Sequence, residues 1–424
     1  MAASGHAATA PSHLGNSAFT NELNVAEQLI LANRFDEARE RLLDLEKSNP
    51  QDSEVQFLLA MLDRQDKDYV SAIKRFHRIL ISEPKAVRVR LELGRTYFES
   101  GDYYDAERQF RFAAAGRLPP NVLANVDRFL TAIRSLKTFS YSFSMAVAPD
   151  SNLNAGPATD SVTLYGIPFQ LSPNARANSG VGLAMDSSAE WAPRVAKHVK
   201  IRAGGVLHRS QYQQTAFDDM MLLAYVGPRL TLKRWDADLT GTLARRWYGD
   251  RVYSKSVGIG ADATYFVSTR MGVTAGMNFG RIDYPTIKDQ SGTVKSFSLN
   301  VFYTPTAASI VGLTAAVGEV DAHIAPFSNR SRVTGVSYIR ELKGGITFAI
   351  APSITHIAYE APLAAFGKTR VDDQDTAQIT LLDRRIDLDG FTPRVMYTFI
   401  HNASTIPLYR FNRSRFEFGL TRAF

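Results

Sequence analysis

The chain has 424 residues, of which 45% are hydrophobic, 21% charged and 11% aromatic, with a formal net charge of +7 and no cysteine. Mean hydropathy is slightly negative and no run of 18 apolar residues occurs, which excludes a transmembrane helix but not a membrane β-barrel, whose alternating strands average out. Zero cysteine excludes disulfides, thiolate metal sites and cysteine nucleophiles, and the lack of a Lys/Arg block argues against nucleic acid as a partner.

The opening "MAASGHAATAPSHLGNS" is small and polar, without the apolar stretch of a signal peptide. Either a leader has been removed or the chain stays in the cytosol, and the later segments must decide. Residues 1–20 are expected to be a disordered N-terminal segment.

From residue 21 to 136 the sequence repeats. Phe35, Tyr69 and Tyr103 are spaced by 34 residues, as are Ala38, Ala72 and Ala106, and Leu42, Phe76 and Phe110. A 34-residue period with small and large apolar positions in register is the tetratricopeptide signature, a stack of helix pairs. The first copy is degenerate, and "VLANVDRFLTAIRSL" from Val122 reads as a capping helix. Such repeats bind partners on a concave face built mainly from the first helix of each pair. By repeat position that face comprises Leu23, Glu27, Phe57, Met61, Arg64, Arg88, Arg95 and Phe98.

From residue 137 to the end, period-2 patterning takes over. "TFSYSFSMAV" sets Phe139, Tyr141, Phe143, Met145 and Val147 against Ser140, Ser142 and Ser144. Fourteen such segments follow one another, near 138–147, 179–190, 198–210, 219–232, 236–248, 254–267, 271–283, 294–304, 308–320, 331–342, 345–358, 377–388, 392–401 and 411–424. Short connections ("KRW", "STR", "KG") alternate with longer ones at 148–178, 211–218, 284–293, 321–330, 359–376 and 402–410, the short link at 249–253 excepted. Long and short loops around an even number of long strands are the outer-membrane barrel pattern, with the short turns in the periplasm. The expected fold is therefore α+β multidomain: periplasmic tetratricopeptide repeats, then a 14-stranded antiparallel transmembrane β-barrel. The last strand ends "RFEFGLTRAF", with Phe416, Phe418, Leu420 and Phe424 on one parity, like the signal read by the barrel insertion machinery; Arg422 takes a position more often apolar.

Catalytic and metal patterns are not legible. The eight histidines form no HExxH or His-x-His, "GIGADA" sits in a strand without a following helix, and Ser353 and His356 point to opposite faces. "VDDQD" at 371–375 reads as an acidic outer loop. Inward-facing positions are mainly Gly, Ser, Thr, Lys and Arg. No metal and no cofactor are expected.

A few periplasmic repeats fused to a fourteen-stranded barrel resembles the surface lipoprotein assembly modifier family, the translocon of type XI secretion. The local motif is "APDSNLN" at 148–154, where Asp150, Ser151, Asn152 and Asn154 suit a self-hydrogen-bonded turn; "YRFNRSRFEFGLTRAF" is similar to family C-termini. The resemblance implies a monomeric, non-enzymatic translocon in a Gram-negative outer membrane. Its client would be a surface lipoprotein or a secreted haem-binding protein, and its other partners the insertion machinery, periplasmic chaperones and membrane lipid. The client would pass through the lumen or through a seam between the first and last strands, where Ser140, Ser142 and Ser144 specify register weakly. An exopolysaccharide exporter, or a porin with a repeat accessory domain, stays open as an alternative.

Overall fold

The computed structural model describes residues 13–388 and 390–423. Seven helices come first: α1 (His13–Leu31), α2 (Phe35–Ser48), α3 (Ser53–Gln65), α4 (Tyr69–Ser82), α5 (Val87–Ser100), α6 (Tyr103–Ala114) and α7 (Pro120–Leu136). Each pair is closed by the same device. The left-handed turn residues Asn33 (φ 59°), Lys67 (φ 64°) and Gly101 (φ 88°) recur every 34 positions, and Asp68 and Asp102 then cap α4 and α6 by accepting from Ser71 N–H and Asp105 N–H. The repeating Ala38, Ala72 and Ala106 are fully buried with Leu42, Phe76 and Phe110. At Gly94 a side chain would stand 3.1 Å from the Phe110 ring, so the close approach of α5 and α6 depends on its absence. Helix α7 covers the open end of the stack, with Phe129 stacked on Phe110 at 4.8 Å.

Helix α1 corrects one expectation. It starts at His13, inside the segment expected to be disordered, because Phe19 and Leu23 give it an apolar face that packs on the repeat core. Residues 1–12 of that segment lie outside the described residues.

The barrel follows after a two-residue link. Its strands are β1 (Phe139–Asp150), β2 (Gly180–Trp191), β3 (Val199–Tyr212), β4 (Asp219–Thr231), β5 (Trp235–Tyr248), β6 (Arg251–Ser268) and β7 (Met271–Asp283). The second half comprises β8 (Gly292–Thr306), β9 (Ser309–Ala322), β10 (Asn329–Glu341), β11 (Ile346–Leu363), β12 (Lys368–Asp383), β13 (Thr392–Ser404) and β14 (Phe411–Ala423). Each pairs antiparallel with its neighbours, and β1 also pairs with β14, from Ser142 opposite Ala423 to Asp150 opposite Arg415, so the sheet is closed. Closure leaves no free edge among these strands. Alternation holds as expected: Met145, Val147, Leu243, Ile259, Phe279, Leu313, Ile354 and Phe418 are exposed on the outer wall. The short β5–β6 link is a two-residue hairpin with both Gly249 (φ 55°) and Asp250 (φ 60°) left-handed, the turn that matches strand twist.

Two connections differ from expectation. The stretch 359–376, expected to be a long loop with "VDDQD" in it, is mostly strand, because β11 and β12 extend to a four-residue turn at 364–367. Acidity was misleading there: alternation sends Asp372 inward to Arg370 (2.6 Å) and Asp373 outward to His356 (2.7 Å), so each carboxylate has a side-chain partner within the sheet. The strand expected at 377–388 is correspondingly displaced, and Arg384 and Arg385 begin the following turn.

Candidate functional site

The motif after β1 stitches the two ends of the barrel together. Asp150 accepts a forked pair of hydrogen bonds from the Arg413 guanidinium, the shortest 2.6 Å, and its side chain is fully buried. Ser151 Oγ accepts from Ser414 N–H (2.8 Å), and Ser151 N–H donates to the Ser414 carbonyl (3.0 Å). The Asn152 amide donates to the carbonyls of Asn412 and Gly156 while accepting from Gly156 N–H. Asn154 holds the returning chain by donating to the carbonyls of Asn174 and Arg176. Four polar residues among five thus fix the loop and lock β1 onto β14 at the loop-bearing end of the barrel. Lower down, Gly419 lets the two backbones approach so closely that any side chain there would overlap Met145 O.

The inner wall beside this seam is charged and internally paired. The small inward face of β1, with Ser144, Ala146 and Ala148 buried, leaves a cavity of about 500 Å³. Asp186 and His208 stand on one side of it and Arg394, Arg415 and Glu417 on the other. Asp186 meets His208 at 2.5 Å, and Glu417 takes Arg394 at 2.6 Å and Arg415 at 3.2 Å. Nearer the end where β1 begins, Glu190 and Asp238 are shared between Arg202 and Arg229. At the opposite end tyrosines narrow the passage. A bulge pairs Arg246 with Ser254 but Trp247 with Val252, so Tyr253 is the extra residue, and its ring lies under Arg246 (5.1 Å) and against Tyr284 (5.4 Å). Arg370 is sandwiched between Tyr359 (4.7 Å) and Tyr409 (3.5 Å).

The helical domain is seated on the mouth where β1 begins. Arg90 of α5, with a fully buried side chain, donates to Glu341 at the end of β10 (2.6 Å) as well as to the Pro84 carbonyl and Gln109. Gly344 N–H in the β10–β11 turn donates to the Ile81 carbonyl (2.8 Å). Arg270, in the β6–β7 turn, donates to the carbonyls of Ala114 and Gly116. Lys200 of β3 reaches the carbonyls of Arg134 and Lys137, and Arg134 reaches that of Lys233. His77 of α4 lies beside this junction, against Tyr97 Oη (2.7 Å); burial, then the nearby Arg384 cation, lowers its pKa to about 4.

The family model described as surface lipoprotein assembly modifier matches residues 139–424, the whole barrel. The chain belongs to this family. It is 18% identical over 372 residues to surface lipoprotein assembly modifier 1 of Haemophilus influenzae, covering 86% of this chain and 76% of that protein. To the Neisseria meningitidis protein of the same description it is 26% identical over 204 residues, 48% of this chain and 40% of that one. Among solved structures, a Pseudomonas aeruginosa FadL homologue overlaps 74% of this chain and 93% of its own, at 9% identity and TM-score 0.41. The Yersinia enterocolitica chaperone SycD overlaps 29% of this chain and 87% of its own, at 17% identity and TM-score 0.28. This family member is thus an outer-membrane barrel with a role in surface lipoprotein assembly.

The residues singled out from the sequence fall into three groups. Asp150, Ser151, Asn152 and Asn154 come together as the seam clamp. On the repeat face, Arg64 (α3) and Arg95 (α5) converge on Glu99, at 3.1 and 2.8 Å. Arg88 covers the ring of Phe57, which is itself only 4% exposed and packs on Phe76. Phe98 is closed off behind α7 by Phe129 (5.1 Å). Phe57 is therefore a core residue of the stack, and Phe98 is half-buried against that core. Met61 is half-buried against the same core, while Leu23 and Glu27 lie on α1, Leu23 lining an open cleft of about 710 Å³ with Phe19 and Asp52. Phe416, Phe418 and Leu420 line up on the outer wall of β14, with Phe416 and Phe418 stacked at 6.0 Å; Phe424 lies outside the described residues.

Sequence reasoning missed Arg90 and the lumen carboxylates. Arg90 shares a helical face with Leu93 and Tyr97, all buried, so a charge on the core stripe was the available signal. The inward face is not only Gly, Ser, Thr, Lys and Arg: Asp186, Glu190, Asp238 and Glu417 also point there, Asp186 engaged by His208 and the others by arginines.

Proposed function

We propose that this chain moves a client protein, a surface lipoprotein or a secreted protein, from the periplasm to the cell surface, acting as a monomer. The observation that carries this is the seating of the helical domain on the barrel mouth where β1 begins, held by Arg90–Glu341 and by hydrogen bonds to three barrel turns. A partner-binding stack placed there delivers what it holds to the lumen. In this reading the mouth with short turns faces the periplasm, the client meets the repeat face around Arg64, Arg88 and Arg95, and Phe416, Phe418 and Leu420 present β14 to the insertion machinery. The family match favours protein assembly over sugar export or plain diffusion, and the lumen carboxylates Glu190, Asp238 and Glu417 are already occupied by arginines.

The client has two routes, the lumen or the β1–β14 seam. The seam route is favoured by the small inward face of β1, and the clamp at Asp150–Arg413 is then what must open or pivot. Co-expression of a candidate lipoprotein, followed by protease shaving of intact cells, tests the function: exposure of the client only with this chain present supports it, and equal exposure without it rejects it. Because the chain has no cysteine, register partners Ser144→Cys and Thr421→Cys can be crosslinked cleanly. Lost export with normal insertion supports the seam; unchanged export assigns the lumen.

A further inference from the structure

We propose that the outer wall of β3–β10 carries a binding arc for the phosphate groups of an acylated, phosphate-bearing glycolipid of the outer leaflet, formed by Arg209, Arg245, Lys255, Arg281, Lys295 and Arg332. The arc lies outside the lumen and is independent of client transport, though it rests on the loop-bearing end of the barrel being outermost.

Height comes first. Arg209 lies ten residues beyond Val199, Arg245 ten beyond Trp235 and Arg281 ten beyond Met271, counting from the short-turn end of each strand. At about 3.3 Å per residue and a tilt near 40°, ten residues climb roughly 25 Å, the height of the apolar band of such a barrel. These cations therefore stand where hydrocarbon gives way to headgroups. Two residues lower on the same faces are Leu243 (62% exposed), Val257 (57%), Phe279 (52%) and Phe297 (47%), a surface for acyl chains. Register makes the arc continuous: Arg245 pairs with Lys255, and Lys295 pairs with Phe279 immediately below Arg281.

Partnering comes second. Arg202, Arg229, Arg246, Arg394, Arg413 and Arg415, which point inward, are all in ion pairs. Among the described residues, none of the six outward cations has an ion pair; Arg245 only lies over the Trp247 ring (4.9 Å). Acids do occur on this wall. Asp283 is opposite Lys255, Glu319 is opposite Lys295, and Asp321 lies higher; Glu319 is turned to Arg330, 3.8 Å away. The balance remains cationic. On the remaining wall His356 meets Asp373 and His401 meets Asn412. Unpaired cations above a greasy wall fit a ligand that is anionic at one end and acylated at the other, since a free phosphate uses only the first feature.

Full-length protein purified in detergent is incubated with bisphosphorylated lipid A, its dephosphorylated form, or inorganic phosphate, and retained lipid is read by native mass spectrometry. The wild type is expected to retain the phosphorylated lipid at least tenfold more than the dephosphorylated one, undisturbed by excess inorganic phosphate. Replacing Arg245, Lys255, Arg281 and Lys295 by Gln should abolish the difference, while Arg245→Lys with Arg281→Lys should keep it. Equal retention of the two lipids by the wild type overturns the proposal without any variant. So does competition by inorganic phosphate, or full retention by a heat-modifiable, folded Gln variant.

Discussion

Replacing Glu341 by Gln should unseat the helical domain while leaving the barrel closed. In the native arrangement the carboxylate takes Arg90 at 2.6 Å and lies 3.8 Å from Arg384. Removing one partner of a buried pair typically costs about 3–5 kcal/mol, because the remaining charge stays desolvated. Arg90 keeps the Pro84 carbonyl, Gln109 and the face of Phe112 (4.5 Å), which places the cost at the lower end. About 3 kcal/mol is a factor of roughly 150 in the docking equilibrium, at 1.4 kcal/mol per tenfold. Hydrogen exchange measured in detergent should show faster exchange at Gly344, whose amide donates to Ile81, with the β1–β14 amides unchanged. Adding Arg90→Met to Glu341→Gln should recover part of the loss, since Arg90 is then no longer left unpaired, while Arg384 still lacks its carboxylate. Unaltered protection at Gly344 in the single variant would show that the ion pair does not hold the junction, and the seating argument would fail.

Three further outcomes follow from the geometry. His77 has its pKa lowered to about 4, so its contribution is fully present above its unfolded value near 6.5 and is lost as pH falls toward 4, by at most about 3 kcal/mol. Asp102, raised to about 6 by burial and then by Asp105, runs the other way, so the measurement is the difference in urea stability between wild type and His77→Gln, which should shrink from pH 7 to pH 5. Lys67→Gly removes a side chain from a left-handed turn residue and should stabilise the repeats by about 1 kcal/mol, seen as a rise of a few degrees in the helical melt. Asp150→Asn leaves Arg413 without its carboxylate and should lower the temperature of barrel heat-modification, at a cost of about 3 kcal/mol, with insertion retained.

What could be read from the chain were features with a period. The 34-residue spacing gave the helix pairs, and alternation gave fourteen strands and their lipid side, because each rests on local geometry repeated many times. Charge misled where alternation and composition disagreed, as at Asp372 and Asp373, which lie in a strand, Asp372 paired with Arg370 two residues before it and Asp373 with His356 across the sheet. The seam clamp was half visible: the turn-forming character of Asp150, Ser151 and Asn152 is local, but their partners Asn412, Arg413 and Ser414 lie about 260 positions away, and no local pattern carries such a distance. The seating of the helices was invisible for the same reason, apart from the anomalous charge of Arg90 on a core stripe.

The fork between Asp150 and Arg413 also bears on biogenesis. Its two halves belong to the first and fourteenth strands of the barrel, so the carboxylate at the rim stays without its cation until β14 is in place. A polypeptide lacking residues 411–423 would present a bare strand edge and an uncompensated charge together, which marks it as unfinished to any periplasmic protease that samples exposed edges. Closure of the cylinder thus waits on its fourteenth strand.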